Sequence, residues 1–413
     1  MRINFQRTYA IVPRRQLSSN SGAYNVDLND KHPQPVGFKT LVGNIGIKDA
    51  TDDFACVYST VPCTVSGMFS QNLFAGPSVK VSRLHLAEGH PRAVVVVSKN
   101  ANVATGEEGL ANAIELTGRV GGKLQIDAKD VLVASTGIIG RRYPMEKVRA
   151  FIDDLDPESA GCDFAGIARA MMTTDTVSKY VHTRVGNATI VGVAKGVGMI
   201  EPNMATMLTF FFTDALVPQP TLDRIFRKVV NATFNCLSID TDTSTSDSAA
   251  IFANGMAGEV PEAEFEARLH EVAIELVKKI ARDGEGATKL LEVSVEGARD
   301  DAQAKRVAKA VVNSPLVKTA IHGADPNWGR VAMAIGKCEQ DTDINPENVR
   351  IAFGDSEVYP KQLSVADLDR LSEVMRGEYV RVAIDLGCGK GHATVWGCDL
   401  SAEYIRINAD YST

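Results

Sequence analysis

Three observations predict a mixed α/β fold with helices packed on sheets. Short β-branched apolar runs sit between polar ends, as in buried strands. Between them lie apolar stripes at helical spacing. No repeat and no low-complexity linker interrupts the alternation through all 413 residues, so strands and helices share layers. At ~150 residues per domain, the length favours two or three units over one.

The elements follow in chain order. Residues 93–98 (AVVVVS) read as a buried strand. Residues 130–135 (DVLVAS) read as another, running into Thr136 and Gly137. Leu110, Ala113 and Ile114 have helical spacing between them, and their stripe is taken as core. Met145, Val148, Ile152 and Leu155 mark a second helix, with Pro144 near its first turn. Residues 183–194 read as a hairpin turning at Gly186-Asn187. Residues 207–213 (MLTFFFT) form a dense apolar strand. Four helical stripes come next, at Leu222/Ile225/Val229/Val230, Phe265/Leu269/Val272/Leu276, Val307/Ala308/Val311 and Val365/Leu368/Leu371. Strands are expected at 379–386, 392–396 and 404–407.

Composition narrows the function classes. Hydrophobic residues make up 45% and charged residues 23%, the balance of a globular protein. The formal charge of −7 gives no global reason to bind nucleic acid or an anionic membrane. No apolar run approaches the ~18–20 residues of a membrane helix. Seven scattered cysteines without a CxxC pair indicate neither zinc nor redox chemistry, and point to reduced thiols in a cytoplasmic protein. Arg2, Arg7, Arg14 and Arg15 precede the first acid, Asp27, without an apolar core for a secretory signal. Residues 1–35 are therefore read as an N-terminal extension, with an organellar transit peptide as the alternative.

Five stretches carry candidate chemistry. Residues 384–390 (IDLGCGK) resemble the cofactor loop of S-adenosylmethionine methyltransferases, but the few residues beyond cannot supply the βαβ unit such a loop must open. A glycine-rich turn between strands is the better reading. Residues 194–208 (AKGVGMIEPNMATML) place Ala205-Thr206 between a Pro202-Asn203 turn and an apolar strand. A β-branched Thr206 suits a strand start. Freed as a new N-terminus, it also combines a hydroxyl nucleophile with its own α-amine as base, of pKa near ~8. Residues 134–137 deliver Ser-Thr-Gly at a strand end, where N–H groups and a hydroxyl can stabilise an oxyanion. Residues 238–248 (SIDTDTSTSDS) lack the EF-hand pattern, so capping and turn hydrogen bonds are favoured over a metal site. Residues 322–330 (HGADPNWGR) read as a loop with a histidine beside an aspartate, a structural clamp rather than a catalytic pair.

Together, KGVGMIEPNMATML, MTTDT at 172–176, DGEGATKL at 283–290, HGADPNWGR and the terminal YIRINADYST resemble the ornithine acetyltransferase family, also called glutamate N-acetyltransferases. The resemblance covers residues 36–413. It implies an N-terminal-nucleophile-like fold that cuts itself between Ala205 and Thr206. The products would be an α chain from the extension through residues 36–205 and a β chain of residues 206–413, associated as α2β2. It implies ping-pong acetyl transfer from N-acetyl-L-ornithine to L-glutamate, with no metal or coenzyme, though some members also use acetyl-CoA. By match to the family motifs, Thr206 is the nucleophile, and Thr136 and Gly137 form the oxyanion hole. Thr173, Lys195, Glu285, Asn408 and Thr413 match substrate-binding positions. Lys195 would meet a substrate carboxylate, while Glu285 and the Thr413 carboxylate would hold the ornithine ammonium.

The chain departs from the common family pattern at DTDTSTSD, with Thr241 and Ser246, and at Glu201. These variants, with FAGPSV at 74–79, resemble the ornithine acetyltransferase-like enzyme found with clavulanic acid biosynthesis. A relative acylating another amino acid, or a hydrolase in which water takes the acyl group, is the alternative reading.

Overall fold

The computed structural model describes residues 34–201 and 207–410. Residues 1–33 of the arginine-bearing extension, Ala205, Thr206 and Thr413 lie outside the described residues.

Three sheets form the frame. The first contains β1 (Phe38–Gly43), β2 (Phe54–Ser59), β4 (Ala93–Val97) and β5 (Val131–Ser135), in the order β1-β2-β4-β5. The second contains β3 (Thr64–Phe69), β6 (Lys179–Val185), β7 (Ala188–Lys195), β8 (Leu208–Leu216) and β9 (Ser248–Glu259), in the order β3-β9-β8-β7-β6. The third contains β10 (Leu290–Ala298), β11 (Arg350–Phe353), β12 (Ser356–Tyr359), β13 (Tyr379–Asp385) and β14 (Gly391–Cys398), in the order β12-β11-β13-β10-β14. Each sheet holds one parallel pair: β4 with β5, β8 with β9 and β10 with β13. The helices are α1 (Pro77–Glu88), α2 (Gly106–Leu124), α3 (Met145–Asp154), α4 (Phe164–Met171), α5 (Gln219–Ala232), α6 (Glu262–Arg282), α7 (Asp301–Val312), α8 (Pro315–His322), α9 (Trp328–Gly336), α10 (Val365–Met375) and α11 (Ala402–Asp410).

Strand periodicity explains the layering. In β8, Phe210 and Phe212 point into a core shared with the first sheet (Val94, Val96, Ala134) and with α4 (Phe164, Ile167, Met171). Phe211 points the other way, among Phe226 of α5 and Leu276 of α6. Successive side chains leave a strand on opposite faces, so the FFF run joins two cores and makes β8 a buried central strand. The outer face of the first sheet is covered by α2 and α3 through Ala113, Leu116, Val120, Val148 and Ile152. The expected mixed α/β class, with helices on stacked sheets, is what forms.

Most predicted elements fall in place. The strands at 93–98 and 130–135 are β4 and β5. The hairpin is β6–β7, with Val185 opposite Ala188 across Gly186-Asn187. Pro144 sits at the N-cap of α3, one residue before its first turn. The 385–391 glycines form a turn between β13 and β14, held by the Gly387 N–H on the Asp385 carboxylate at 2.9 Å.

Four expectations need correction. In the Val365/Leu368/Leu371 stripe, expected as core, Val365 is exposed, Leu368 half-buried and Leu371 alone of the three buried. Residues 404–407 are helical, inside α11, not a strand. Tyr404, Ile405 and Ile407 favour strands locally, but Ser401 receives the Glu403 N–H at 3.1 Å, and Glu403 pairs with Arg406 at 3.2 Å one turn on. Capping and an i,i+3 pair make the helix. HGADPNWGR is not a loop throughout: His322 ends α8, and Trp328 opens α9 behind an Asn327 N-cap. The stripe Leu110/Ile114 on α2 is not core, since both are exposed and the buried face runs through Ala113, Leu116 and Val120. Among the described residues no helix is long and apolar enough to cross a membrane.

Candidate active site

A cavity of about 150 Å³ opens where the C-terminal ends of β5 and β7 meet the start of β8. Thr136, Gly137, Thr173, Lys195, Glu285 and Asn408 all line it. Six predicted site residues, spread over some 270 positions (408 − 136), therefore share one surface. Met207, the first described residue after Thr206, lines the same cavity, as do Ser244, Thr245, Ser246 and Asp247.

Chain geometry dictates the segment after β5. Strand β5 ends at Ser135, and the chain turns sharply through Gly137 at φ 126°. A Cβ there would lie 2.3 Å from the Lys99 backbone, so only glycine fits. The Thr136 N–H is already spent on the Val97 carbonyl at 3.1 Å. The Thr136 hydroxyl and the Gly137 N–H make no hydrogen bond among the described residues. Of the expected N–H groups and hydroxyl, the Thr136 hydroxyl and the Gly137 N–H are the donors free to meet a ligand.

The opposite wall is charged and tightly built. Lys195 ends β7 and is 9% exposed. Burial lowers its pKa, against the pull of Asp175. Asp175 accepts from the Lys179 ammonium at 2.7 Å, the Gly196 N–H at 2.9 Å and the Thr173 N–H at 3.1 Å. Burial alone would raise the Asp175 pKa, but Lys195 and Lys179 outweigh it and hold the group ionised. Lys179 also binds Asp283 at 2.6 Å, and Asp283 accepts the Thr176 N–H and hydroxyl. This network fixes the MTTDT segment, and so Thr173, against the end of α6.

Glu285 follows α6 and is fixed from three sides. Its carboxylate accepts from Thr174 Oγ1 at 3.2 Å and Asn408 Nδ2 at 2.9 Å, while its N–H donates to the Val197 carbonyl at 3.0 Å. A Cβ at Gly198 would sit 2.6 Å from that carboxylate, which is why KGVG carries glycine there. Helix α11 brings Asn408 to Glu285, so the corrected helix is also what completes the site.

Asp247 was overlooked in the sequence as a site residue. It is 1% exposed, and its Oδ2 has no hydrogen-bond partner. Burial raises its pKa well above the ordinary carboxylate range, against the Ser244 hydrogen bond and the Lys195 charge. Asp175, Lys179 and Asp283 were also missed as site residues. Asp175 and Asp283 lay inside motifs already singled out, while Lys179 carried no signal beyond an aspartate four residues earlier. The SIDTDTSTSDS stretch does more than cap turns: it forms the cavity wall from Ser244 to Asp247. Among the described residues no group of three or more His, Cys, Asp or Glu side chains is placed to hold a metal.

His322 is far in role from this cavity. It contacts Asp399 at 2.7 Å, not the Asp325 of its own motif. Asp399 also accepts from the Thr288 and Lys289 N–H groups and the Thr288 hydroxyl. The clamp reading of HGADPNWGR holds, with a different aspartate.

Comparison with known proteins gives the family. The family model described as ArgJ matches residues 39–413. Arginine biosynthesis bifunctional protein ArgJ 2 of Nostoc is 58% identical over 379 residues, covering 92% of this chain and 98% of that protein. Glutamate N-acetyltransferase Oat2 of Streptomyces clavuligerus is 54% identical over 393 residues, covering 94% of this chain and all of that protein (100%). Among solved structures, the arginine biosynthesis bifunctional protein from Bacillus halodurans is 41% identical, with a TM-score of 0.47, over 50% of this chain and 100% of that chain. This chain belongs to the ArgJ family.

Proposed function

We propose that this chain moves the acetyl group of N2-acetyl-L-ornithine to L-glutamate through an acyl-Thr206 intermediate, as a step of arginine synthesis or a related specialised pathway. The observation that carries the reading is the convergence of Thr136, Gly137, Thr173, Lys195, Glu285 and Asn408 on the cavity that begins at Met207. The chain first opens between Ala205 and Thr206, giving α (through 36–205) and β (206–413) chains that stay together, as α2β2 in the cytoplasm. No metal or coenzyme enters the scheme.

The chemistry follows from the groups. The Thr206 hydroxyl attacks the acetyl carbonyl, and its α-amine takes the proton. Charge on the carbonyl oxygen is met by the Thr136 hydroxyl and Gly137 N–H, each such donor worth ~3–4 kcal/mol in the transition state. Lys195 pairs with a substrate carboxylate. Glu285, with the Thr413 carboxylate, takes the ornithine ammonium. The intermediate collapses as the acetyl–nitrogen bond breaks, and the α-amine passes its proton to the departing ornithine nitrogen. The glutamate amine then attacks the acetyl-Thr206 ester and frees the Thr206 hydroxyl.

Two measurements test this. The intact mass of the denatured protein should show two chains that part at Thr206. Consumption of N-acetylornithine should require glutamate. An uncut chain, or equal consumption without glutamate, overturns the transferase reading.

A further inference from the structure

Glu201 is the last described residue before the segment that holds the Ala205–Thr206 bond, and it does not line the cavity. Its carboxylate is gripped by three side chains. The Ser238 hydroxyl donates to Oε2 at 2.9 Å, the Asn313 amide donates to the same oxygen, and the Lys309 ammonium lies 3.4 Å from Oε1. The backbone is held as well. The Glu201 N–H donates to the Asp242 carbonyl at 3.0 Å, and its carbonyl accepts the Thr243 hydroxyl at 3.2 Å. One residue back, Ile200 bridges Thr243, and the Met199 and Ile200 N–H groups share the Asp240 carboxylate at 2.6 and 2.7 Å. Every one of these partners lies downstream of residue 206. The carboxylate is partly buried, with 22% of its side chain exposed against 18% for Lys309.

We propose that Glu201 is a positioning residue for self-cleavage: it clamps the chain upstream of the Ala205–Thr206 bond to the half of the protein downstream of it, and keeps the new α-chain end docked after the cut. The inference rests on the reading that the chain opens at that bond. Only residues 202–205 separate Glu201 from Thr206. On the other side β8 is fixed between β7 and β9. Holding the chain at Glu201 and at β8 limits the conformations that the segment carrying the Ala205–Thr206 bond must search, which lowers the entropy cost of self-attack. The hydroxyl oxygen bonds to the carbonyl carbon as the C–N bond breaks, and the hydroxyl proton passes to nitrogen to give the α-amine. Water then opens the ester, leaving a carboxylate at Ala205 and restoring the Thr206 hydroxyl. The Glu201 clamp takes part in neither bond change, so it acts on the rate of cutting and not on transfer.

The test follows the time course of cleavage after cell-free synthesis, by intact mass, in wild type, Glu201→Ala and Glu201→Gln. Glu201→Ala should cut roughly tenfold more slowly or worse. Glu201→Gln keeps acceptor oxygen for Ser238 but loses the charge facing Lys309, and should fall between. Once cut, both should transfer acetyl with kcat/KM within about twofold of wild type. Amides 199–201 should exchange faster in cut Glu201→Ala than in the cut wild type. Asn313→Ala and Lys309→Met probe the same clamp from the other side, and each should slow cutting if Glu201→Ala fails to fold. Cutting at the wild-type rate in the folded variants overturns the clamp alone. A wild-type chain that never cuts overturns both the clamp and the function proposed above.

Discussion

Two polar clusters in this protein look alike in composition and differ in what they leave unspent. Around Asp399, every strong group is consumed by protein. Its carboxylate takes four donors, from Thr288, Lys289 and His322, and the Lys289 ammonium is shared among the carbonyls of Ile321, His322 and Met375. Around Lys195 the balance stays open. Lys179 is neutralised by Asp175 and Asp283, but the Lys195 ammonium has no ion pair among the described residues, Asp247 keeps one oxygen unpartnered, and the Thr136 hydroxyl is unused. A closed cluster ties helix ends to a sheet. An open one at a cavity has capacity left for a ligand.

That contrast breaks most sharply at Thr206. Thr206→Ala should abolish transfer and leave one uncut mass, and two chains in that variant would move the cut site elsewhere. In the closed cluster, Asp399→Ala strands several buried donors and should cost about 3 kcal/mol of stability, read as a lowered denaturation midpoint. Activity per folded molecule should stay at the wild-type level, and its loss would join the two clusters functionally. Thr136→Ala should do the reverse: an unchanged denaturation midpoint, with acylation slowed roughly 10²-fold or more and KM little altered. Lys195→Ala should raise KM for the acetyl donor roughly tenfold. Unchanged KM and kcat would make Lys195 structural.

The smallest effect is a slope. The pKa of Asp247 is raised in the folded protein above its ordinary 3.8. The folded state therefore holds a proton that the unfolded state has released, and stability falls as pH rises from about 3.8 through the folded value. Asp247→Asn should flatten that fall in a series of melting curves against pH. An unchanged slope would mean that a donor satisfies the carboxylate in solution.

Legibility followed the range of the forces. Hairpin β6–β7, strand β5 and helices α5, α6 and α7 were written in local pattern, because alternation and 3.6-residue spacing record which face is buried. Strands β1, β2 and β10 were not picked out, although β10 (LLEVSVEGA) alternates apolar and polar residues. Helix α11 was misread because its burial pattern is empty, with no buried residue to mark a face. For the site, motif residues were readable one by one, and the buried lysine that neutralises two of them was not.

By itself the sequence determined the class of fold, the family, and the identities of the hydroxyls, amide and charges that meet at the cavity, since these depend on residue type and local order. Only the tertiary structure decided which groups remain available. The Thr136 N–H is consumed by Val97, Lys179 is silenced between Asp175 and Asp283, and His322 turns to Asp399 in place of Asp325. Hydrogen bonds and ion pairs act over a few ångströms between residues far apart in the chain, 104 positions for Lys179 and Asp283 and 123 for Glu285 and Asn408. Which partner each group finds is therefore set by how the sheets stack.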